Sequence, residues 1–483
     1  MIVLNMISRS LFKVLALLTF ISLITFLPSL HFMPKVVIWF VDGQRLLELL
    51  LLSFILFDAV FNHSSNTASK PLGYALFTLL SLVIISACLA QSPRHAFLEA
   101  ATFIGLYYLA LFVARLYQEN PQIFLKRLST ALWVSILLFM VSFYVGYITA
   151  IIFKTPLQWP LPFKGFTNVR HFNQYQLWSL GLICLPLLDR EFKPGFVLKK
   201  NLRLWFHAAL TCWWVLLFYS ASRGVLLAWF LAIVCTALIY KKLAWPFVRM
   251  QCAHLATGYI SYIMLFQIVP LLRNSVLVTG TIMRETANDR IGLWKTALDL
   301  IEKQPVLGVG PMHYAWYSQS NAHPHNSVLQ LAAEWGLPAT AIILSIAGYG
   351  IFSWLKRFNA NTLNAESNNN QVKLNGHLAI ILFFTLMANA AYSLVDGVIV
   401  MPISQVLMFT VIGLMIGHHL NNQTKQNNTN KYSSNLRRIL AGLVLLVLVW
   451  SSLPEIRQGF SDSEKGFSIG YTAAGPRFWR ETN

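Results

Sequence analysis

Hydrophobic residues fill this chain in long blocks, and polar residues interrupt them in short groups. Blocks long enough to cross a bilayer, about 17 to 25 residues each, fall at roughly 11–30, 44–62, 72–90, 96–116, 131–153, 174–189, 205–221, 224–240, 253–272, 327–354, 376–395, 400–418 and 439–453. They predict twelve or thirteen membrane-spanning helices. The count turns on 44–62, which contains Glu48 and Asp58, and on 439–453, which is short. The expected fold class is therefore all-α, a polytopic integral membrane helix bundle. Arg9 and Lys13 precede the first block in the manner of a signal peptide. No small-residue cleavage site follows at Phe26-Leu27-Pro28-Ser29, so the block reads as an uncleaved first helix.

The polar intervals complete the layout. Segments 359–375 and 421–435 are Asn-rich or charged, cannot bury a core, and read as solvated linkers. The tail 454–483 is too short and polar to form a domain alone. One interval is long: residues 273–326. Within it Ile291, Trp294, Leu298 and Ile301 recur at steps of three and four, the spacing of one helical face. Asp299 and Lys303 form an i,i+4 pair on the other side, Asn288 is a plausible N-cap, and Pro305, Gly308 and Gly310 end the element. These features predict an amphipathic helix at the membrane surface with Arg290 near its start.

Composition agrees: 56% of the 483 residues are hydrophobic and 11% charged, against about 25% charged in soluble domains. The formal charge of +19 does not indicate nucleic acid, because the basic residues lie in short groups between apolar blocks and not on one extended face. Topology accounts for them. With the N-terminus inside, the inner loops hold Arg115, Lys126 and Arg127; Arg190, Lys193, Lys199, Lys200 and Arg203; Lys241, Lys242 and Arg249; Lys356, Arg357 and Lys373; and Lys425, Lys431, Arg437 and Arg438. That orientation puts loop 273–326 outside, in the periplasm if the cell is Gram-negative. The five cysteines all lie in or beside predicted spans, so no disulfide framework is implied.

Four groups of residues on the outer side could do chemistry. Asn321-Ala322-His323-Pro324-His325-Asn326-Ser327 brings two imidazoles to the point where the long loop meets the next span. Histidine is the side chain best suited to take a proton near neutral pH, although the same stretch could simply anchor a helix with Asn326 or Ser327 as its cap. Two histidines without nearby cysteines or a convincing carboxylate set are thin evidence for a metal site. Arg223, in the tight turn Ser220-Ala221-Ser222-Arg223-Gly224, and Arg290 supply two guanidiniums on one side of the membrane. Such a pair suits a diphosphate, because each planar fork binds phosphate oxygens at two points; a lone arginine there could instead snorkel to headgroups. The stretch Arg170-His171-Phe172-Asn173-Gln174 either lines a site or caps a helix. Asp396, next to Tyr392 in Tyr392-Ser393-Leu394-Val395-Asp396-Gly397, is an acid at the outer edge, either functional or the partner of an outer arginine.

Several of these residues form a recognisable series. Asp289-Arg290, Trp294, Pro305-Val306-Leu307-Gly308-Val309-Gly310, His325-Asn326-Ser327-Val328-Leu329-Gln330 and Glu334-Trp335-Gly336-Leu337-Pro338, with Arg223 and Leu227 before them, resemble the motifs of the O-antigen ligase family over roughly residues 165 to 420. That family includes lipopolysaccharide O-antigen ligases, polysaccharide polymerases and bacterial protein O-oligosaccharyltransferases. The resemblance implies a GT-C-like membrane enzyme that needs no metal or other cofactor. Its reaction would be inverting transfer of a glycan from an undecaprenyl-diphosphate carrier at the periplasmic face of the inner membrane. It divides the chain into N-terminal spans (1–160), a catalytic membrane region (161–420) and a linker with the last span and tail (421–483).

By that resemblance His325, Arg290 and Arg223 are catalytic, while His323, Asn326, Asn173, Gln174, Arg170, His171, Glu334, Tyr392 and Asp396 bind substrate. The forms around His171-Phe172-Asn173-Gln174, Ala322-His323-Pro324-His325-Asn326 and Met401-Pro402-Ile403-Ser404-Gln405 are most similar to the protein-transferring branch, whose acceptor is Ser or Thr of a protein such as pilin. A large C-terminal periplasmic extension, present in many general protein transferases, is not expected here, which weakens the broad-specificity version and leaves a one-substrate enzyme intact. Lipid A–core is the alternative acceptor, and polymerization a further one. A lipid-linked glycan transporter would instead place charges along a mid-membrane path, whereas these residues gather at one face.

Overall fold

The structure, a computed structural model, describes residues 12–20, 40–61, 70–158, 163, 166, 169–189, 202–275, 277–278, 290–318, 321–363, 370–421 and 431–464. Asn168, the expected cap Asn288, Asp289 and the tail beyond Glu464 lie outside them. The elements in chain order are α1 (12–20), α2 (Phe40–Phe61), α3 (Lys70–Leu89), α4 (Pro93–Glu119), α5 (Pro121–Phe153), α6 (Val169–Leu182), α7 (Leu185–Leu188), α8 (Leu202–Tyr219), α9 (Arg223–Tyr240), α10 (Trp245–Ile263), α11 (Val269–Arg273), α12 (Arg290–Lys303), α13 (Tyr314–Tyr317), α14 (Ser327–Trp335), α15 (Leu337–Leu363), α16 (Asn370–Tyr392), α17 (Pro402–Asn421) and α18 (Lys431–Glu464). Strand pairing among the described residues is a two-residue parallel bridge, Leu157 and Gln158 against Leu277 and Val278, which joins the segment after α5 to the segment after α11.

Eight helical segments among the described residues are long and apolar enough to cross a membrane, so the chain is an all-α, multi-pass membrane protein. One of them, Arg223–Arg273, is too long for a single crossing. A positive φ at Lys241 and the 3-10 turn Lys241–Ala244 divide it, and α10 returns antiparallel to α9. Trp229 donates to Gln251 at 3.2 Å early in the return, and Phe266 at its far end stacks on Tyr219, beside the start of α9.

The core pairs α4 with α17, α9 with α16 and α8 with α10, and α18 lies against α2 and α4. The α4–α17 seam is tight because Gly413 and Gly417 share one face of α17. A Cβ at either would stand 2.5 Å from the Ala110 carbonyl oxygen or 2.9 Å from that of Ala114. In hydrocarbon, where apolar burial offers little preference for protein over lipid, such small-residue seams let dispersion hold helices together.

Two sequence expectations change. The block 327–354 is not one span: it breaks at Gly336, which has φ +82° and starts the separate helix α15. The chain crosses itself there, and a Cβ on Gly336 would sit 2.1 Å from the Val306 carbonyl oxygen. Three backbone bonds fix the crossing: Val309 N–H to Ala333 at 2.9 Å, Gly310 N–H to Glu334 at 3.0 Å and Leu337 N–H to Pro305 at 2.8 Å. The second change is the face of α12. Its buried stripe is Leu293, Ala297 and Leu300, packed with Val309, Tyr314 and Ala333, whereas Ile291 and Leu298 are exposed. The helix is apolar on two sides, and both satisfy the three–four spacing; packing on α14 selects the side that carries Leu293.

Candidate active site

The site forms where α6, α9, α12, α14 and α16 bring their ends together. Its centre is the loop Ala322–Asn326 just before α14. Asn326 caps that helix, its carboxamide oxygen accepting the N–H groups of Val328 and Leu329, both at 3.0 Å. The Ser327 N–H donates to the Ser393 carbonyl at 2.8 Å, fastening the loop to the end of α16. From the other side Trp294 of α12 donates its indole N–H to the Pro324 carbonyl at 3.0 Å.

Held at three points, His325 keeps a φ of +52°, a left-handed conformation that costs a non-glycine residue roughly 1 kcal/mol. His323 and His325 are both buried, and their ring centroids lie 4.2 Å apart at 74°, edge to face. The left-handed turn at His325 is what brings the two rings together. The His325 N–H donates to His323 Nδ1 at 3.3 Å. Gly397 lies directly against the His323 ring: a Cβ there would be 2.4 Å from Cε1.

Cationic groups gather beside His325. Arg170, in the first turn of α6, brings Nη1 to 3.4 Å from His325 Nε2. Arg223 opens α9 after a turn in which Ala221 has φ +55°, and Arg290 opens α12. The guanidinium of Arg290 is pushed below its ordinary range, mainly by burial and then by the positive charge of Arg170, with Arg223 adding to it; Asp396 and Tyr392 act the other way. Arg290 thus lies within the fields of two further guanidiniums and one carboxylate. Among the described residues the Arg290 Nε is buried without a hydrogen-bond partner.

Asp396 is held by its neighbours. Its Oδ2 accepts from the Tyr392 hydroxyl at 2.6 Å, and its Oδ1 accepts from Gln174 Nε2 at 2.9 Å and from the Gly397 N–H at 2.7 Å. Gln174 and Asn173 are fully buried in the body of α6. Asn173 donates to Ser220 at 2.8 Å, one turn before Arg223. His171 is buried on the same helix. Tyr392 is buried against Gly224, where a Cβ would meet its ring at 3.1 Å.

Glu334 has a different setting. It is fully buried, and Oε1 accepts the Tyr314 N–H at 2.9 Å while the Tyr314 hydroxyl donates to the Leu293 carbonyl at 2.8 Å. Glu334 therefore ties α14 to α12 through residues 309–314. Nothing in the sequence marked Gly397 or the clamp from Trp294, since both act through contacts between distant segments.

The fold and this cluster define a class: a multi-pass membrane protein with a cationic, histidine-containing site at one end of its bundle. The family model described as O-antigen ligase matches residues 208–344, which contain Arg223, Arg290, His323, His325 and Glu334. No curated protein matches the chain. The family match supports a glycan-transferring membrane enzyme that uses a lipid-linked donor and an acceptor.

Proposed function

We propose that this protein transfers an oligosaccharide from an undecaprenyl-diphosphate carrier to Ser or Thr of a periplasmic protein such as pilin, at the periplasmic face of the inner membrane. The observation that carries the reading is the placing of Arg170 beside His325 and of Arg290 within the fields of Arg170 and Arg223. A diphosphate leaving group needs fixed positive charge, and an acceptor hydroxyl needs a base beside it.

In this mechanism the carrier's isoprenoid chain stays in lipid and its diphosphate rests among the arginines. His325 accepts the proton of the acceptor hydroxyl as that oxygen attacks the anomeric carbon. The bond from the anomeric carbon to the diphosphate oxygen breaks, undecaprenyl diphosphate departs, and the configuration inverts. His323, whose Nδ1 accepts the His325 N–H, orients the base and contacts substrate. Asp396 offsets part of the positive charge around Arg290. No metal or other cofactor takes part in these steps.

The description of the matching family keeps lipid A–core as a second acceptor to test. The deciding experiment gives the purified enzyme an undecaprenyl-diphosphate-linked glycan with pilin and lipid A–core together, and runs His325→Ala in parallel. Glycosylated pilin, lost in the variant, is the expected result. Sugar on lipid A–core would make the protein a ligase, and glycan chains lengthened on the carrier would make it a polymerase. No transfer to any acceptor would overturn the reading in favour of a transporter.

A further inference from the structure

A buried ion pair in the N-terminal part of the chain, outside the residues matched by the family, reaches toward the site. Arg45 and Glu48 lie one turn apart on α2 and are almost wholly buried. Arg45 Nη1 donates to Glu48 Oε2 at 2.5 Å and to Gln405 Oε1 at 2.6 Å, and Nη2 donates to the Val400 carbonyl at 2.7 Å. Gln405, on α17, donates through Nε2 to the Ile399 carbonyl at 2.8 Å. Two successive carbonyls of the turn between α16 and α17 are therefore captured by side chains of α2 and α17.

That turn is short and already in use. Val400 N–H closes it onto the Gly397 carbonyl at 3.0 Å. Its first residues are Asp396, bonded to Tyr392 and Gln174, and Gly397, whose Cα faces the His323 ring with no room for a methyl group. His323 in turn accepts the His325 N–H. A continuous series of contacts runs from Arg45 through the turn to His323 and His325. A buried ion pair is weak evidence for stability, since apolar residues of similar size often serve as well; its donors here go instead to backbone that supports the histidines.

We infer that Arg45, with Glu48 and Gln405, is a positioning device that fixes the height of the 396–400 turn and thereby the setting of His323 and His325. This rests on the transfer reaction proposed above for its kinetic consequence, though not for its structural one. Misplacement of reacting groups by about 1 Å costs on the order of 100-fold in rate, so loss of this support reads out in kcat. The donor's KM is set by the arginines and stays as it is.

The test replaces both charges, Arg45→Met with Glu48→Met, so that the interior stays filled and no lone charge is buried. Gln405→Met is the second variant; it keeps both charges of the ion pair but removes the bond to Ile399 and the one Gln405 accepts from Arg45. Each is compared with wild type in donor-saturation kinetics and in labelling by diethyl pyrocarbonate, with each histidine followed by mass spectrometry. A folded double variant should lose about 10- to 100-fold in kcat with unchanged donor KM. It should also label faster at His323 and His325 while labelling at His207 holds. Gln405→Met should move the same readouts by less. Wild-type kcat and wild-type labelling in a folded variant would overturn the inference. If wild type transfers no glycan but the labelling still changes, the transfer reaction fails and the positioning stands.

Discussion

Gly397→Ala is the sharpest single probe of the site, because it adds one methyl group at a position where the geometry says what that methyl meets. The added Cβ would lie 2.4 Å from His323 Cε1, 2.8 Å from Nε2 and 2.9 Å from Nδ1. Ordinary contact begins near 3.4 Å, so the ring must withdraw by about 1 Å, and it has little room. His323 is 1% exposed, its Nδ1 accepts the His325 backbone N–H and its ring centroid lies 4.2 Å from that of His325. Overpacking of this kind costs roughly 1–3 kcal/mol, and the shift passes directly to His325, where it costs on the order of 100-fold in rate. The backbone at Gly397 is not left-handed, so the effect is purely steric.

Thermal unfolding in detergent and glycan transfer measure the two consequences separately. A double-mutant cycle then identifies the cause. In the His323→Ala background the methyl has no ring to strike, so the stability loss from Gly397→Ala should largely disappear, a coupling of about 1–3 kcal/mol. Additive losses in the cycle, or a Gly397→Ala protein with wild-type melting and wild-type transfer, would refute the proposed contact between the 396–400 turn and the histidine loop.

Arg223→Lys and Arg290→Lys keep the charge but lose the planar fork, and each should lower transfer about 100-fold; single-turnover kinetics will show it, and near-normal rates would remove that arginine from the leaving-group site. Asn326→Ala deletes the acceptor for two N–H groups and should cost about 1 kcal/mol of stability, read as a lower melting temperature; an unchanged melt would deny its capping role. Glu334→Ala leaves the buried Tyr314 N–H without its partner, a loss of about 1–3 kcal/mol, whereas Glu334→Gln should retain most of that bond through its amide oxygen. Equal melting of the two variants would contradict this account.

The spans were legible because a bilayer imposes length and apolarity on the sequence, and α4, α5, α9 and α17 fall on expected blocks. Arg223, Arg290 and His325 stood out because charged or proton-accepting side chains at the edges of apolar blocks are rare enough to notice. The break at Gly336 was written in Gly336-Leu337-Pro338 but lay inside an apolar block that hydropathy reads as continuous. The face of α12 was ambiguous because Leu293-Ala297-Leu300 and Ile291-Trp294-Leu298 share a periodicity, and only packing on α14 chooses between them. Gln174 with Asp396 and Arg45 with Gln405 pair across hundreds of residues, and local pattern carries no trace of a partner at such separation. Arg45 and Glu48 did leave a signal: opposite charges three residues apart in an apolar helix, a cost that asks for a purpose.

The interruption between α14 and α15 has a mechanical consequence. Membrane helices accommodate thicker or thinner bilayers chiefly by tilting, and a rigid helix running from His325 to Leu363 would swing the imidazole with every such adjustment. Here α14 hangs from the crossing at Pro305–Gly310 and from Ser393, while α15 begins anew beyond Gly336. The break leaves the histidine loop on anchors of its own, the Ser393 carbonyl and the Val309 and Gly310 N–H groups. Transfer should accordingly depend weakly on lipid chain length.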